Sequence, residues 1–266
     1  MPKPLIVFDD DEEDEETFDL ILESNEDPEY LQNLKIVSQA FLRVNGYITK
    51  SEPDVSQMSS DQFVEYIEKS VAKNNEVIQK LSEINIEINL RSMMSKIYQH
   101  RDDPGLKMLV YFVPDISDKK SINTAVVKGL VSLMLKLDCR EALMVSKKDL
   151  LTDAKERIRQ INTKPENEES IYNIISYQDD NFIDISTHSF IPEIMNILRG
   201  SKTEQFASEN QIDINKLPKL LSDDPMVKFY RGRIGDIFKL KRQIVNEKNM
   251  LTHQIIYRMV VRKYNK

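Results

Sequence analysis

One cysteine, Cys139, stands in the whole sequence, so neither an intramolecular disulfide nor a cysteine-based zinc site can be built. Glycine is scarce too: six residues are spread thinly, and no Gly-rich phosphate-binding run occurs. There is no tryptophan. No apolar stretch approaches the roughly 20 residues that a membrane helix needs, so no membrane contact is expected. The first residues lack the basic start and apolar core of a secretory signal, which points to an intracellular protein. The three histidines, His100, His188 and His253, are scattered with no partner at metal-ligand spacing. Nothing marks a Ser/His/Asp triad beyond the presence of those residues. No metal, cofactor or catalytic group is expected.

What is present suits a folded chain of two small domains, or of one domain with long additions, with 266 residues, 40% hydrophobic and 30% charged. The net charge of −7 hides an asymmetry. Met1–Tyr30 holds 13 acids and one base, whereas Ser201–Lys266 holds 14 bases and seven acids. Asp9–Glu16 is unbroken acid, and like charges at that density repel, so a disordered acidic head is expected over residues 1–30. Phe18, Leu20, Ile21 and Leu22 follow it, so the head reads first as a solvated tail, and second as an acidic-hydrophobic segment suited to a basic partner or to shielding a DNA-binding surface.

Periodicity orders the middle of the chain. Leu31, Leu34, Val37, Phe41 and Val44 recur at helical spacing, and Gly46–Tyr47 ends that helix. Ser59 with Gln62 forms a capping box for a helix carrying Phe63, Ile67 and Val71. More helix is expected over Asn74–Tyr98. Leu106–Val113 and Ala142–Val145 are continuous apolar runs and read as strands buried on both faces. Between them Ser121 caps a helix with Val127, Leu130, Val131, Met134 and Leu137 in one stripe. Leu150–Ile161 reads as another helix, and strand–helix–strand–helix implies an α/β layer with parallel pairing. Thr163–Ser170 reads as a linker, Phe182–Ile185 as a short strand, and Ser201 with Glu204 as a capping box. Domains are expected at 31–175 and 176–266.

Leu217–Leu240 is the most legible stretch. Leu217 is held extended by Pro218. Asp224 offers an oxygen to free N–H groups and Pro225 suits the first helical position, so a short helix is expected from about Pro225 to Arg231. Gly232 is expected to stop it in the left-handed conformation, Gly235–Asp236 to turn, and Ile237–Arg242 to form a half-buried strand. Gln243–Gln254 reads as a polar loop before a last strand, Ile255–Arg262.

This order resembles the C-terminal domain of the subunit shared by all nuclear RNA polymerases, which has a counterpart in the archaeal enzyme. The resemblance is carried by Leu217–Pro218–Lys219, Asp224–Pro225, Tyr230 followed at one remove by Gly232, Gly235–Asp236, Lys239, and Tyr257–Arg258–Met259–Val260. Ala40–Phe41 with Gly46–Tyr47 is similar to the family's opening helix. The family carries an aromatic-Gly pair where this chain has Tyr230–Arg231–Gly232. It also carries a basic continuation after the proline where this chain has Ile191–Pro192–Glu193–Ile194, and a shorter loop where residues 243–254 lie. Usage rich in Ile, Asn and Lys suggests an AT-rich genome, so a divergent version from a large DNA virus or a protist is expected.

The resemblance implies a non-catalytic polymerase subunit and a hetero-oligomer. Its small α+β C-terminal domain would dock on the largest subunit. Its α/β N-terminal domain would be the jaw, related in fold to certain nucleases, and would support downstream duplex DNA weakly and without reading sequence. It also implies a nuclear site of action if cellular, or a virion or infected-cell transcription site if viral. The residues that would shape docking are Leu217, Pro218, Lys219, Asp224, Pro225, Tyr230, Gly232, Gly235, Asp236, Lys239, Tyr257 and Arg258, with Tyr257 and Arg258 as candidates for partner contact. Two other readings stand beside it. One is a metal-dependent nuclease using Asp115, Asp153 and Lys155, although the last two fall on an expected helix rather than a strand. The other is an acidic adaptor that binds the polymerase transiently.

Overall fold

A computed structural model of the chain describes residues 26–50, 52–72, 76–83, 88–115, 121–163, 172–188, 191–245 and 251–262. The acidic block and the linker at residues 164–170 lie outside them. Two four-stranded sheets, each with its own helices, organise the described residues.

The N-terminal unit opens with α1 (Pro28–Val44), started by Asp27, whose carboxylate accepts the Glu29 N–H at 3.1 Å. The capping box expected before α2 (Ser60–Ala72) forms: the Gln62 N–H donates to Ser59 Oγ at 3.3 Å, and the Ser59 N–H donates to Gln62 Oε1 at 3.0 Å. After α3 (Glu76–Glu83) and the single turn α4 (Leu90–Met93), the helix expected through Tyr98 gives way to strand β1 (Lys96–Gln99). Tertiary pairing overrides local propensity here. Ser95 Oγ accepts the Phe112 N–H at 3.0 Å, and Lys96–Gln99 then pair antiparallel with β2 (Lys107–Phe112).

β2 and β3 (Glu141–Ser146) run parallel with Val110 opposite Leu143, and Leu109, Val110, Leu143 and Met144 are all buried. β4 (Asn173–Gln178) adds a third parallel strand, giving the order β1-β2-β3-β4. It carries this sheet past residue 175. The crossovers α5 (Thr124–Lys136) and α6 (Thr152–Asn162) pack against each other.

Two readings in this unit are corrected. Asn123, not Ser121, caps α5, its carboxamide oxygen accepting the Ala125 N–H at 3.1 Å. Ile122 is drawn into a parallel bridge with Leu150, the Leu151 N–H donating to its carbonyl at 2.9 Å, and that pairing pushes the cap inward. Phe182–Ile185 is not a strand. Phe182 and Ile185 are buried from an irregular segment that follows the 3₁₀ turn Asp179–Asn181, so their apolar character reflects burial without a ladder.

Buried ion-pair clusters around Lys35 and around Arg91 in this unit give no sign in the sequence. Lys35 lies 3.6 Å from Glu52, and the Tyr98 hydroxyl donates to the same carboxylate at 2.9 Å. Arg91, fully buried, meets Asp179 at 2.6 Å, and the Tyr30 hydroxyl donates to Asp179 at 2.8 Å. The second set ties α1 and α4 to the chain just beyond β4.

The C-terminal unit contains β5 (Glu193–Leu198), α7 (Ser201–Asn210), β6 (Lys219–Leu221), α8 (Pro225–Phe229), β7 (Ile237–Val245) and β8 (Leu251–Val261). Its sheet order is β5-β7-β8-β6, with β6 parallel to β8 and the other pairs antiparallel. Gly200, at φ 54°, precedes α7 without a side-chain cap, so Ser201 lies inside the helix rather than capping it. The loop expected at Gln243–Gln254 is largely ladder: Gln243 pairs with His253 and Ile244 with Thr252. These β-branched and polar residues alternate well enough to prolong the hairpin. One continuous apolar core joins the units, from Phe41 and Phe112 to Phe229 and Phe238.

Candidate docking site

The residues marked in the sequence gather around α8 and the β7–β8 hairpin. Leu217 is extended, at φ −61° and ψ 144°, and the Pro218 carbonyl accepts the Met259 N–H at 3.0 Å. That bond opens the β6–β8 pairing, in which Lys219 sits opposite Met259. Lys219 Nζ donates to the Asn215 carbonyl at 2.7 Å. Asp224 caps α8, accepting the Met226 N–H at 2.8 Å, and Pro225 takes the first position of the helix.

The end of α8 departs from expectation. The helix stops at Phe229, and the left-handed residue is Arg231, at φ 53°, not Gly232. Gly232 is needed for space instead: a β-carbon there would stand 2.7 Å from the Phe238 ring. Gly235 takes φ 91°, as its turn requires. Asp236 is buried and accepts the Arg233 N–H at 2.8 Å, closing the turn before β7.

Strand alternation then sorts the remaining candidates onto two faces. Lys239 and Tyr257 are opposite each other, with the Lys239 ammonium 5.9 Å from the centre of the Tyr257 ring. Phe206 from α7 packs on the same ring at 4.7 Å between centroids. Arg258 points to the other face, opposite Phe238. Tyr257 and Arg258, adjacent in sequence, therefore belong to different surfaces. Glu193, which stands where a basic continuation would be, lies opposite Lys241 and pairs with it at 3.1 Å.

Sequence reasoning marked Phe41 and Tyr47 as family matches and Arg231 as part of a basic C-terminal cluster suited to docking or to DNA phosphates. It did not foresee that they meet Asn45 and Glu141 on a seam between the units. The Arg231 guanidinium pairs with Glu141 at the start of β3, and donates to the Tyr47 hydroxyl at 3.2 Å. The Tyr47 hydroxyl donates to the same glutamate. Asn45 Nδ2 donates to the Phe229 carbonyl at 2.8 Å, and Phe41 meets the Phe229 ring edge to face at 5.5 Å. From the other side, Arg199 donates to the Tyr230 carbonyl at 2.9 Å. Burial alone would raise the Glu141 carboxyl, but Arg231, with Tyr47 and Asn173, more than offsets it and holds the group below the ordinary value. Burial and the neighbouring carboxylate push the Tyr47 phenol upward. The only hint in the sequence is the glycine displaced by one position after Tyr230.

The residue types weighed for metal-dependent cleavage are engaged elsewhere. Asp115 pairs with Lys147 at 2.9 Å and Lys148 at 2.8 Å, and Lys155 pairs with Asp149 at 2.8 Å. Asp153 lies in the first turn of α6. Among the described residues no group of three or more His, Cys, Asp or Glu is arranged to hold a metal ion. Cys139 is buried, and burial pushes its thiol up to about 11, so it behaves as a small core residue. His100 packs edge-on against Tyr47 at 5.2 Å.

Fold and site define a mixed α/β protein with a small C-terminal unit, in which most of the marked residues gather around α8 and the β7–β8 hairpin. Residues 183–260 match the family model described as RNA polymerase Rpb5, C-terminal domain. Over 166 residues the chain is 24% identical to the DNA-directed RNA polymerases I, II, and III subunit RPABC1 of Caenorhabditis elegans, covering 62% of this chain and 74% of that one. It is 32% identical over 60 residues to the DNA-directed RNA polymerase subunit Rpo5 of Methanosphaera stadtmanae, covering 23% of this chain and 77% of the relative. With Rpo5 of Methanothrix thermoacetophila it shares 29% over 77 residues, or 92% of that subunit. The chain belongs to the Rpb5/Rpo5 family of RNA polymerase subunits.

Proposed function

We propose that this chain is a non-catalytic subunit of a multisubunit DNA-directed RNA polymerase. Its C-terminal unit seats on the largest subunit, and its N-terminal unit, a jaw of nuclease-related fold, faces downstream duplex DNA. Family membership carries the first part of this reading. The docking part rests on the β7–β8 hairpin, where Lys239, Lys241, Arg242, Arg258 and, just past its end, Arg262 stand with no acid among the described residues of either strand. Ile244 and Ile255 are exposed on the same strands, so apolar and basic surface lie together, as a protein partner's acidic rim and apolar centre require. The polymerase's chemistry would belong to its larger subunits. Its site of action is wherever that enzyme transcribes, the nucleus for a cellular chain.

The test is affinity purification through a tag on the full chain, washed at high salt and analysed for stoichiometry. Two very large polymerase subunits recovered one-to-one support the reading. Recovery of the chain alone overturns it, and loss of the large subunits only in high salt favours a transient adaptor. For the DNA part, duplex binding by the assembled enzyme should weaken steeply with salt and be indifferent to sequence.

A further inference from the structure

We propose that Arg231 is a positioning residue that locks the two units of this chain in one orientation. Three observations converge on it. First, Arg231 holds a left-handed backbone, at φ 53°, which costs a side chain with a β-carbon and persists only when its surroundings over-determine it. Second, the guanidinium and the Glu141 carboxylate it meets are 15% and 11% exposed, so the pair lies largely out of water, where salt screens it least. Third, one short stretch of the N-terminal unit supplies several of the contacts around it: Phe41 at the end of α1, and Asn45 and Tyr47 just beyond it.

The geometry explains why an arginine tolerates this position. A right-handed residue at 231 would carry the chain on as helix and send the side chain elsewhere. The left-handed turn releases Gly232 to pack under Phe238 and aims the guanidinium across the seam at β3 and Tyr47. Asn45 holds the Phe229 carbonyl and Arg199 holds the Tyr230 carbonyl, so the short segment 229–231 is gripped from both units. A residue gripped from both sides transmits the attitude of one unit to the other. On the polymerase reading above, this lock sets where the N-terminal unit points once the C-terminal unit is seated.

The lock is tested on the free full-length chain, so its failure and that of the polymerase reading are distinguishable. Spin labels are placed at Glu65→Cys in α2 and Lys216→Cys beyond α7, both exposed positions, with the buried Cys139 replaced by Ala. The inter-label distance distribution is then measured by pulsed electron resonance. The parent chain should give one narrow distance. Arg231→Gly keeps the left-handed backbone accessible but removes the guanidinium, and should broaden the distribution at least twofold. Glu141→Gln should broaden it similarly, and the double variant no further than the larger single effect, because both remove one shared interaction. Arg231→Lys, which restores charge without the planar fork, should narrow it only in part. Should Arg231→Gly fail to fold, Tyr47→Phe removes a single hydroxyl from the same cluster and should still broaden the distribution measurably. A broad distribution in the parent chain overturns the proposal. So does an unchanged narrow one in all folded variants.

Discussion

Gly232 and Phe238 sit so closely that a β-carbon on the glycine would stand 2.7 Å from the ring, and 3.0 Å from Val227 Cγ1. Three residues between Tyr230 and β7 thus do different jobs. Arg231 supplies the left-handed turn, Gly232 supplies space, and Gly235, at φ 91°, supplies the next turn.

Gly232→Ala should therefore destabilise the chain by overpacking, by about 1–3 kcal/mol. Gly235→Ala has open space around it and should cost only the backbone term, about 1–2 kcal/mol. Denaturant unfolding of both variants checks this. A Gly232→Ala chain as stable as the parent would mean that Phe238 is free to move aside.

For Arg231→Gly two effects oppose each other. Relief of the left-handed strain gains about 1 kcal/mol, while leaving Glu141 largely buried without its cation costs more, in the range of about 2–4 kcal/mol. Net destabilisation of about 1–3 kcal/mol is expected. A chain stabilised by the substitution would show that the ion pair contributes less than the strain it requires.

Acid should weaken the same contact. Burial would raise the Glu141 carboxyl, but Arg231 holds it below its ordinary value of 4.5. A carboxyl whose folded value is depressed contributes stability that is complete above its unfolded value and is lost as pH falls through the folded one. The difference in Tm between the parent and Glu141→Gln should therefore be constant above about pH 5.5 and close as the pH falls below the ordinary glutamate value. Melting curves from pH 7 to pH 3 check the sign, and a gap that widened in acid would contradict it.

On the docking surface, Tyr257→Ala should lower the yield of large polymerase subunits about tenfold or more, as loss of an aromatic anchor does. Lys239→Glu should act mainly through salt sensitivity, since its charge lies 5.9 Å from the centre of that ring. Phe206 also packs on Tyr257, so each variant needs a melting curve beside the pull-down. Full recovery with both variants would move the contact to the opposite face, where Arg258 lies.

Capping offers a local check. Asn123→Ala should cost about 1 kcal/mol, whereas Ser121→Ala should fall within about 0.5 kcal/mol of the parent, reversing the assignment suggested by residue type alone.

Features that depend on neighbours in sequence were legible in the chain itself. Asp224–Pro225 starts α8 and Ser59 with Gln62 starts α2, because a cap is satisfied by backbone two or three residues away. The apolar runs of β2 and β3 announced strands buried on both faces, since burial on both sides admits little polar alternation. The order of motifs from Leu217 to Val260 carried the family. What the sequence left open depended on groups far apart in the chain. Asn173–Gln178 and Phe182–Ile185 are both short, and only pairing with β3 distinguishes a strand from a buried irregular segment. β1 became a strand because β2 had an edge to cover. Arg231 left the expected helix for the left-handed turn because Glu141, 90 residues earlier, and Tyr47, 184 residues earlier, were waiting across the seam. Local hydrogen bonds and periodicity are written into adjacent residues. The joining of two units is decided by side chains that meet only after both have folded.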